Sequence, residues 1–263
     1  MTVDKKYKVI AILRIKDEIL IVKEVLNKLS EFIDEIIILD NGSTDGTLEV
    51  YKEFNKVIEV LQTEGFNEGR DKIMLLEAAQ KRNPDWILWI DADEVFEKHF
   101  NRKVVDSYMR SDYNRIKFRM YNFWLSKKSF RLDGNFFLYT LHPQRSMWKN
   151  TGNEYFRDKF IHNGDIMGVK GKSCISPYRI KHYGYIFKDK VVEKNKNYNK
   201  IDKQGSRSYD HTNPENKVKT FKFIEFDNRL LNSLYIYFYK YLSDLTWYSL
   251  RLILKIKKLT LKR

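Results

Sequence analysis

DWILWIDADEVF, residues 85–96, sets an uncharged apolar run, Trp86 to Ile90, directly before the carboxylates Asp91, Asp93 and Glu94. A short apolar run without polar alternation reads as a strand buried on both faces, as in a parallel sheet. Open α/β sheets bind ligands outside the carboxyl ends of their strands, which is where these acids fall. Acids this close repel one another unless a positive group joins them. A hard divalent cation, Mg²⁺ or Mn²⁺, carrying a phosphorylated ligand fits that need, because both ions prefer carboxylate and phosphate oxygens. The competing interpretation is a solvated acidic turn after a strand.

Upstream, the same kind of run recurs. Val9 to Leu13 and Ile36 to Leu39 read as buried strands, and Val57 to Leu61 as a short third one. Between them, Ile19, Val22, Val25, Leu26 and Leu29 repeat at helical spacing, as do Leu48, Tyr51 and Phe54. Thr63 to Gly69 reads as a polar loop, and Asp71 to Arg82 as a helix stopped by Asn83-Pro84. Strands alternating with helices imply right-handed crossovers and a parallel sheet. Asp40, which ends the second strand, and the Asp91 cluster are therefore expected at one sheet edge. Asp45, in the turn that follows Asp40, is expected to cap the next helix.

Downstream the pattern loosens. Arg115 to Phe123 alternates as a one-faced strand, Leu141 to Trp148 and Ile180 to Ile186 are weaker strand candidates, and Val191 to Ile201 reads as a Lys/Asn-rich helix. The expected organisation is an α/β domain over 1–203, a polar linker over 204–228 and a helical extension over 229–263.

Hydrophobic residues make up 43% of the chain, enough for a packed core and against global disorder. Lys and Arg outnumber Asp and Glu by 49 to 35, giving +14, which favours polyanionic partners. Cys174, the single cysteine, excludes an internal disulfide and a cysteine-based zinc site and fits a reducing compartment. Lysines precede the short first apolar run, unlike a signal peptide, and no window reaches the roughly 18 apolar residues of a membrane span. The expected location is the cytoplasm or the cytoplasmic (inner) face of a membrane. Residues 229–263 hold eight Lys/Arg against one acid, Asp244, interleaved with aromatics. This composition suits an anionic membrane surface as a peripheral anchor. Packing on the α/β domain or in a homo-oligomer are the alternatives, with nucleic acid the weakest.

The blocks IIILDNGSTDGT (36–47), EGRDKIMLLEAAQ (68–80) leading into DWILWIDADE (85–94), and RIKHYGY (179–185) resemble the family-2 glycosyltransferases of GT-A fold, in their DADE-containing subgroup. The resemblance covers roughly residues 7–203 and implies a GT-A catalytic domain over 1–203 with a nucleotide-sugar half, about 1–96, and an acceptor half, about 97–203. It implies a Rossmann-like, mostly parallel sheet flanked by helices and a Mn²⁺- or Mg²⁺-dependent, inverting transfer from a nucleoside-diphosphate sugar, with a UDP-sugar expected. The acceptor would be a glycan, a lipid-linked sugar or a peptide.

By the same resemblance, Asp40 would bind the nucleotide base, Asp91 would face the ribose or reach the metal through water, and Asp93 would bind the metal directly. His182 would complete the metal shell or contact the diphosphate, and Glu94 would orient its neighbours instead of ligating. Arg70 and Lys72 are candidates for the diphosphate through their position near the sheet edge. Many relatives carry a His-Glu pair after a Pro-x-Arg segment. Here HPQR (142–145) is followed by Ile161-His162-Asn163-Gly164; Glu154, Asp158 and Asp165 are nearby substitutes, and Glu154 or Asp158 is the expected base. Two rival classes are a sugar-nucleotide nucleotidyltransferase and a basic membrane- or nucleic-acid-binding module without enzymatic activity. The first should show a Gly- and basic-rich loop after the first strand, where Arg14-Ile15-Lys16-Asp17-Glu18 stands.

Overall fold

The computed structural model describes residues 6–133, 136, 140, 143–161, 163–201, 213–225, 241, 245 and 249. Most of the expected C-terminal extension, including the aromatics from Tyr235 to Tyr239, lies outside the described residues.

Strands β1 (Val9–Ile15), β2 (Glu35–Asp40), β3 (Val57–Gln62) and β4 (Trp86–Trp89) alternate with helices α1 (Val22–Ser30), α2 (Thr47–Tyr51) and α3 (Glu68–Gln80). These four strands pair in parallel in the order β3-β2-β1-β4. Beyond the Asp91 turn come β5 (Glu94–Phe96), α4 (Arg102–Met109), β6 (Tyr113–Asn122), β7 (Ser129–Arg131), β8 (Pro143–Lys149) and β9 (Lys172–His182). They extend the sheet to β3-β2-β1-β4-β8-β6-β9-β5, with β8 antiparallel to both neighbours and β6 parallel to β9. Helix α5 (Lys188–Ile201) and strand β10 (Thr220–Lys222) follow.

The unbroken apolar runs have a direct structural cause. In β1, Val9, Ala11 and Leu13 enter one core while Ile10 and Ile12 enter the other, and Trp86 and Leu88 separate from Ile87 and Trp89 in the same way. Helices cover both faces, so successive side chains are buried alternately above and below the sheet. Trp89 and Trp148 are fully buried, and truncating such a side chain to alanine costs about 3–5 kcal/mol.

Helix α3 starts at Glu68, earlier than the sequence pattern indicates. Asn67 caps it by accepting from the Arg70 N–H. Gly69 inside the helix reflects close approach, because a Cβ there would lie 2.5 Å from the Lys159 backbone nitrogen. Strand β9 begins well before Ile180, and its ladder with β6 shifts register between Lys117 and Arg119, opposite Pro177. Proline has no N–H for a ladder, and a local irregularity accommodates it. The polar run Lys172-Ser173-Cys174 conceals this strand in the sequence.

The stretch expected as a linker carries β10, which pairs antiparallel with β7. Around it, Phe223 packs edge-on against Tyr121 and Phe130 and tilted against Phe123, and Glu225 bonds Lys181 and the Lys98 N–H. Residues 213–225 thus fold back onto the catalytic domain. Among the described residues, no helix is long and apolar enough to cross a membrane.

Candidate active site

The parallel register pairs Ile15 with Asp40 and Ile12 with Trp89, so β1, β2 and β4 end at one edge of the sheet. A cleft of about 620 Å³ opens there, lined by Arg14, Glu18, Asn41, Asp91, Asp93 and His182 among others.

Strand β5 assembles the acidic cluster. It runs antiparallel to β9, placing Glu94 opposite His182, and the Tyr183 N–H donates to the Asp93 carbonyl at 2.7 Å. Phe96 and Phe100 stack at 4.2 Å and anchor β5 from behind. Asp93, Glu94 and His182 consequently bring ligand atoms within 4.8 Å of one another, all three residues being buried. His182 Nε2 lies 3.2 Å from Asp93 Oδ2, and its Nδ1 lies 2.6 Å from Asn122 Oδ1. An imidazole held at Nδ1 by an amide oxygen presents its Nε2 lone pair, the usual posture of a metal-binding histidine.

Further features of this cluster fit a divalent cation. Glu94 is fully buried, and its Oε1 receives no aligned hydrogen bond although an Arg145 nitrogen lies 2.7 Å away. Gly184 leaves open the point where the cluster converges. A Cβ there would come 2.5 Å from Asp93 Oδ2, 2.7 Å from His182 Nε2 and 2.8 Å from Lys194 Nζ. Carboxylates with one imidazole form a donor set that suits Mn²⁺ or Mg²⁺ better than a soft metal.

The electrostatics follow from burial and neighbours. Burial would raise the Asp93 carboxyl, but Lys194 and His182 outweigh it and hold the group well below the ordinary aspartate value. Burial pushes Glu94 up against the opposing pull of Arg145. Glu18 is pushed up to about 7, first by burial and then by the charge of Asp93, while Lys194 and Lys190 oppose the shift.

Asp91 does not join the tight cluster. It contacts the Arg145 guanidinium, whose Nε also donates to Glu94 Oε2 at 2.7 Å. Burial works against the charge on Arg145, yet Asp91 and Glu94 raise its proton affinity further. Asp91 still lines the cleft.

Asp40 sits at the expected sheet edge, but its carboxylate turns inward and is 1% exposed. It accepts from the Gly42 and Ser43 N–H groups, the Ser43 hydroxyl and the Tyr51 hydroxyl. The cleft-facing residue at this edge is its neighbour, Asn41. The N-cap of α2 is Gly46, one residue after Asp45, which instead accepts from the Thr47 N–H and hydroxyl and from the Ile19 N–H. Arg70 is directed to Asp71 and to the Glu64 and Gly65 carbonyls. Lys72 is buried over the Trp89 ring and bonds Glu68 at 2.7 Å. Burial lowers the proton affinity of this lysine although Glu68 opposes the shift. Neither Arg70 nor Lys72 lines the cleft.

The structure does not bring Glu154 or Asp158 to the acidic cluster. Glu154 accepts from Thr151 and Gly152 within its own turn, and Asp158 is exposed away from the cleft. The cleft groups that the sequence pattern does not single out include Glu18, Asn41, Arg145, Lys190 and Lys194. The available signals were slight: RIKDE directly after the first strand, HPQR, and the lysine spacing on the last predicted helix.

Residues 12–167 match the family model of Glycosyl transferase family 2. Two curated proteins share 30% identity over 86 residues: the SPbeta prophage-derived glycosyltransferase SunS of Bacillus subtilis (strain 168) and glycosyltransferase SunS of Bacillus phage SPbeta. Each match covers 32% of this chain and 19% of the relative's length. Among solved structures, S. aureus TarS 1-349 in complex with UDP aligns with a TM-score of 0.43 at 18% identity, covering 65% of this chain and 61% of that one. TarS 1-349 alone gives a TM-score of 0.46 at 16% identity, covering 78% and 68%.

Proposed function

From the premise that the chain belongs to glycosyl transferase family 2, we propose that it moves a sugar from a nucleoside-diphosphate sugar to an acceptor hydroxyl. The observation that carries this reading is the convergence of Asp93, Glu94 and His182 at the ligand-binding edge of the sheet. These three residues would hold Mn²⁺ or Mg²⁺. When bound, such an ion supplies Lewis-acid stabilisation of the charge developing on the leaving diphosphate, a contribution of several kcal/mol.

The protein's own groups fix the geometry. Asn122 sets the His182 ring, while Arg145 bridges Asp91 and Glu94 and keeps both carboxylates from rotating freely. A cluster held this rigidly needs little reorganisation during the reaction, which is the main source of electrostatic catalysis. We assign Asp91 to the ribose side of the donor, consistent with its place on the cleft wall outside the tight cluster. Inversion at the anomeric carbon, a UDP-sugar donor and a glycan, lipid-linked or peptide acceptor complete the proposal.

A screen of nucleotide sugars for Mn²⁺-dependent hydrolysis tests it, with Asp93→Ala as control. At least one sugar nucleotide should be turned over by the wild type and not by the folded variant. Equal turnover by both proteins would remove the cluster from the reaction.

A further inference from the structure

Helix α5 carries Lys190 and Lys194, four residues apart and therefore on one helix face. Val191, buried in a cluster with Trp124 and Phe136, fixes the rotation of the helix, and both lysines line the cleft. Lys194 Nζ stands 3.0 Å from Asp93 Oδ2, beside the point left open by Gly184. Lys190 Nζ donates to the Asp17 carbonyl at 2.5 Å, and its charge also acts on the Glu18 and Asp45 carboxylates. The cleft's remaining cations are Lys16 and two guanidiniums: Arg14, 3.8 Å from Asp71, and Arg145, which holds Asp91 and Glu94.

We propose that Lys190 and Lys194 form an ammonium pair that binds the diphosphate of the donor next to the Asp93 cluster. An ammonium group serves phosphate as a compact point charge with three donors, and hydrogen bonds between ions are about twice as strong as neutral ones. Two such groups one helical turn apart match two successive phosphates better than one. The inference rests on the glycosyltransferase reading and adds to it the residues that take the leaving group. It also accounts for the lysine-rich face of α5 beside an otherwise acidic cluster.

A diphosphate also occurs on lipid-linked acceptors, so the test separates the two sources. Calorimetric affinities for UDP, UMP and farnesyl diphosphate are measured with wild type, Lys190→Met, Lys194→Met and the double variant, each with Mg²⁺ and with a chelator. Each single substitution should weaken UDP binding about tenfold to a hundredfold. UMP binding should change less than twofold, and the loss should persist with the chelator. Should Lys194→Met fail to fold, Lys190→Met, which leaves Asp93 untouched, decides alone.

Unchanged UDP affinity in a folded variant overturns the proposal, as does an equal loss of UMP and UDP. Loss of farnesyl diphosphate binding with UDP unaffected also overturns it, by moving the pair to the acceptor. A wild type that binds no nucleoside diphosphate would instead refute the glycosyltransferase reading itself.

Discussion

Glu94 and His182 face each other across the β5–β9 ladder, and this one pairing converts two distant segments into a single site. A register slip of one residue would put Glu94 and His182 on opposite faces of the sheet. The ladder therefore decides whether Asp93, Glu94 and His182 meet.

Gly184 lies where that ladder gives way to the turn. A Cβ at this position would come within 2.7 Å of two of the three clustered ligand atoms or their immediate partners. Gly184→Ala should keep its fold and its melting temperature to within a few degrees while Mn²⁺ binding weakens at least tenfold. Electron paramagnetic resonance of free Mn²⁺ reads this directly. Undiminished binding would mean that the ion sits elsewhere.

Arg145 is the cation between Asp91 and Glu94. Arg145→Met would leave Glu94 buried without its counter-charge, and removing one partner of such a pair costs about 3–5 kcal/mol. Chemical denaturation should show a loss of that size at pH 8 and a smaller one at pH 5, where Glu94 can take up a proton. A loss below about 1 kcal/mol at both pH values would contradict the buried-pair account.

Glu18 titrates near neutrality in the folded protein, against an ordinary value of 4.5. Between those values the folded state binds more protons than the unfolded chain, so the Glu18 contribution to stability falls as pH rises through that window. Wild type minus Glu18→Gln, followed by thermal unfolding from pH 4 to 8, should decline across the window and level off above it. A flat difference curve would show that Glu18 keeps its ordinary proton affinity.

Asp40 receives four hydrogen bonds inside the protein. Each buried donor left unpaired costs about 1–3 kcal/mol, so Asp40→Ala should destabilise strongly, and Tyr51→Phe only by about 1 kcal/mol. Denaturant midpoints measure both. An Asp40→Ala protein of wild-type stability that loses only nucleotide affinity would place the carboxylate in the cleft.

The sequence makes the parallel half of the sheet readable because Val9–Leu13, Ile36–Leu39 and Trp86–Ile90 are buried on both faces, which leaves an unbroken apolar signal. The β5–β9 pairing is hidden: Glu94–Phe96 is three residues long, and Lys172–Ser176 is too polar to mark a strand. The acidic cluster itself is legible, while the direction of individual side chains is not. Asp40 is captured by the donors of its own turn, so Asn41 takes the cleft wall. Lys72 lies two helix positions beyond Arg70, rotates onto the sheet and pairs with Glu68 beneath Trp89. Periodicity identifies which helix face is buried, but it does not reveal that a lysine will find a carboxylate there.

The most direct test of the whole account is calorimetric titration of Mn²⁺, with UDP present, into wild type and Asp93→Asn of equal melting temperature. One ion should bind the wild type, and the substitution should weaken it at least a hundredfold. Equal Mn²⁺ affinity in the two folded proteins would contradict the assignment of Asp93, Glu94 and His182 as the cation site.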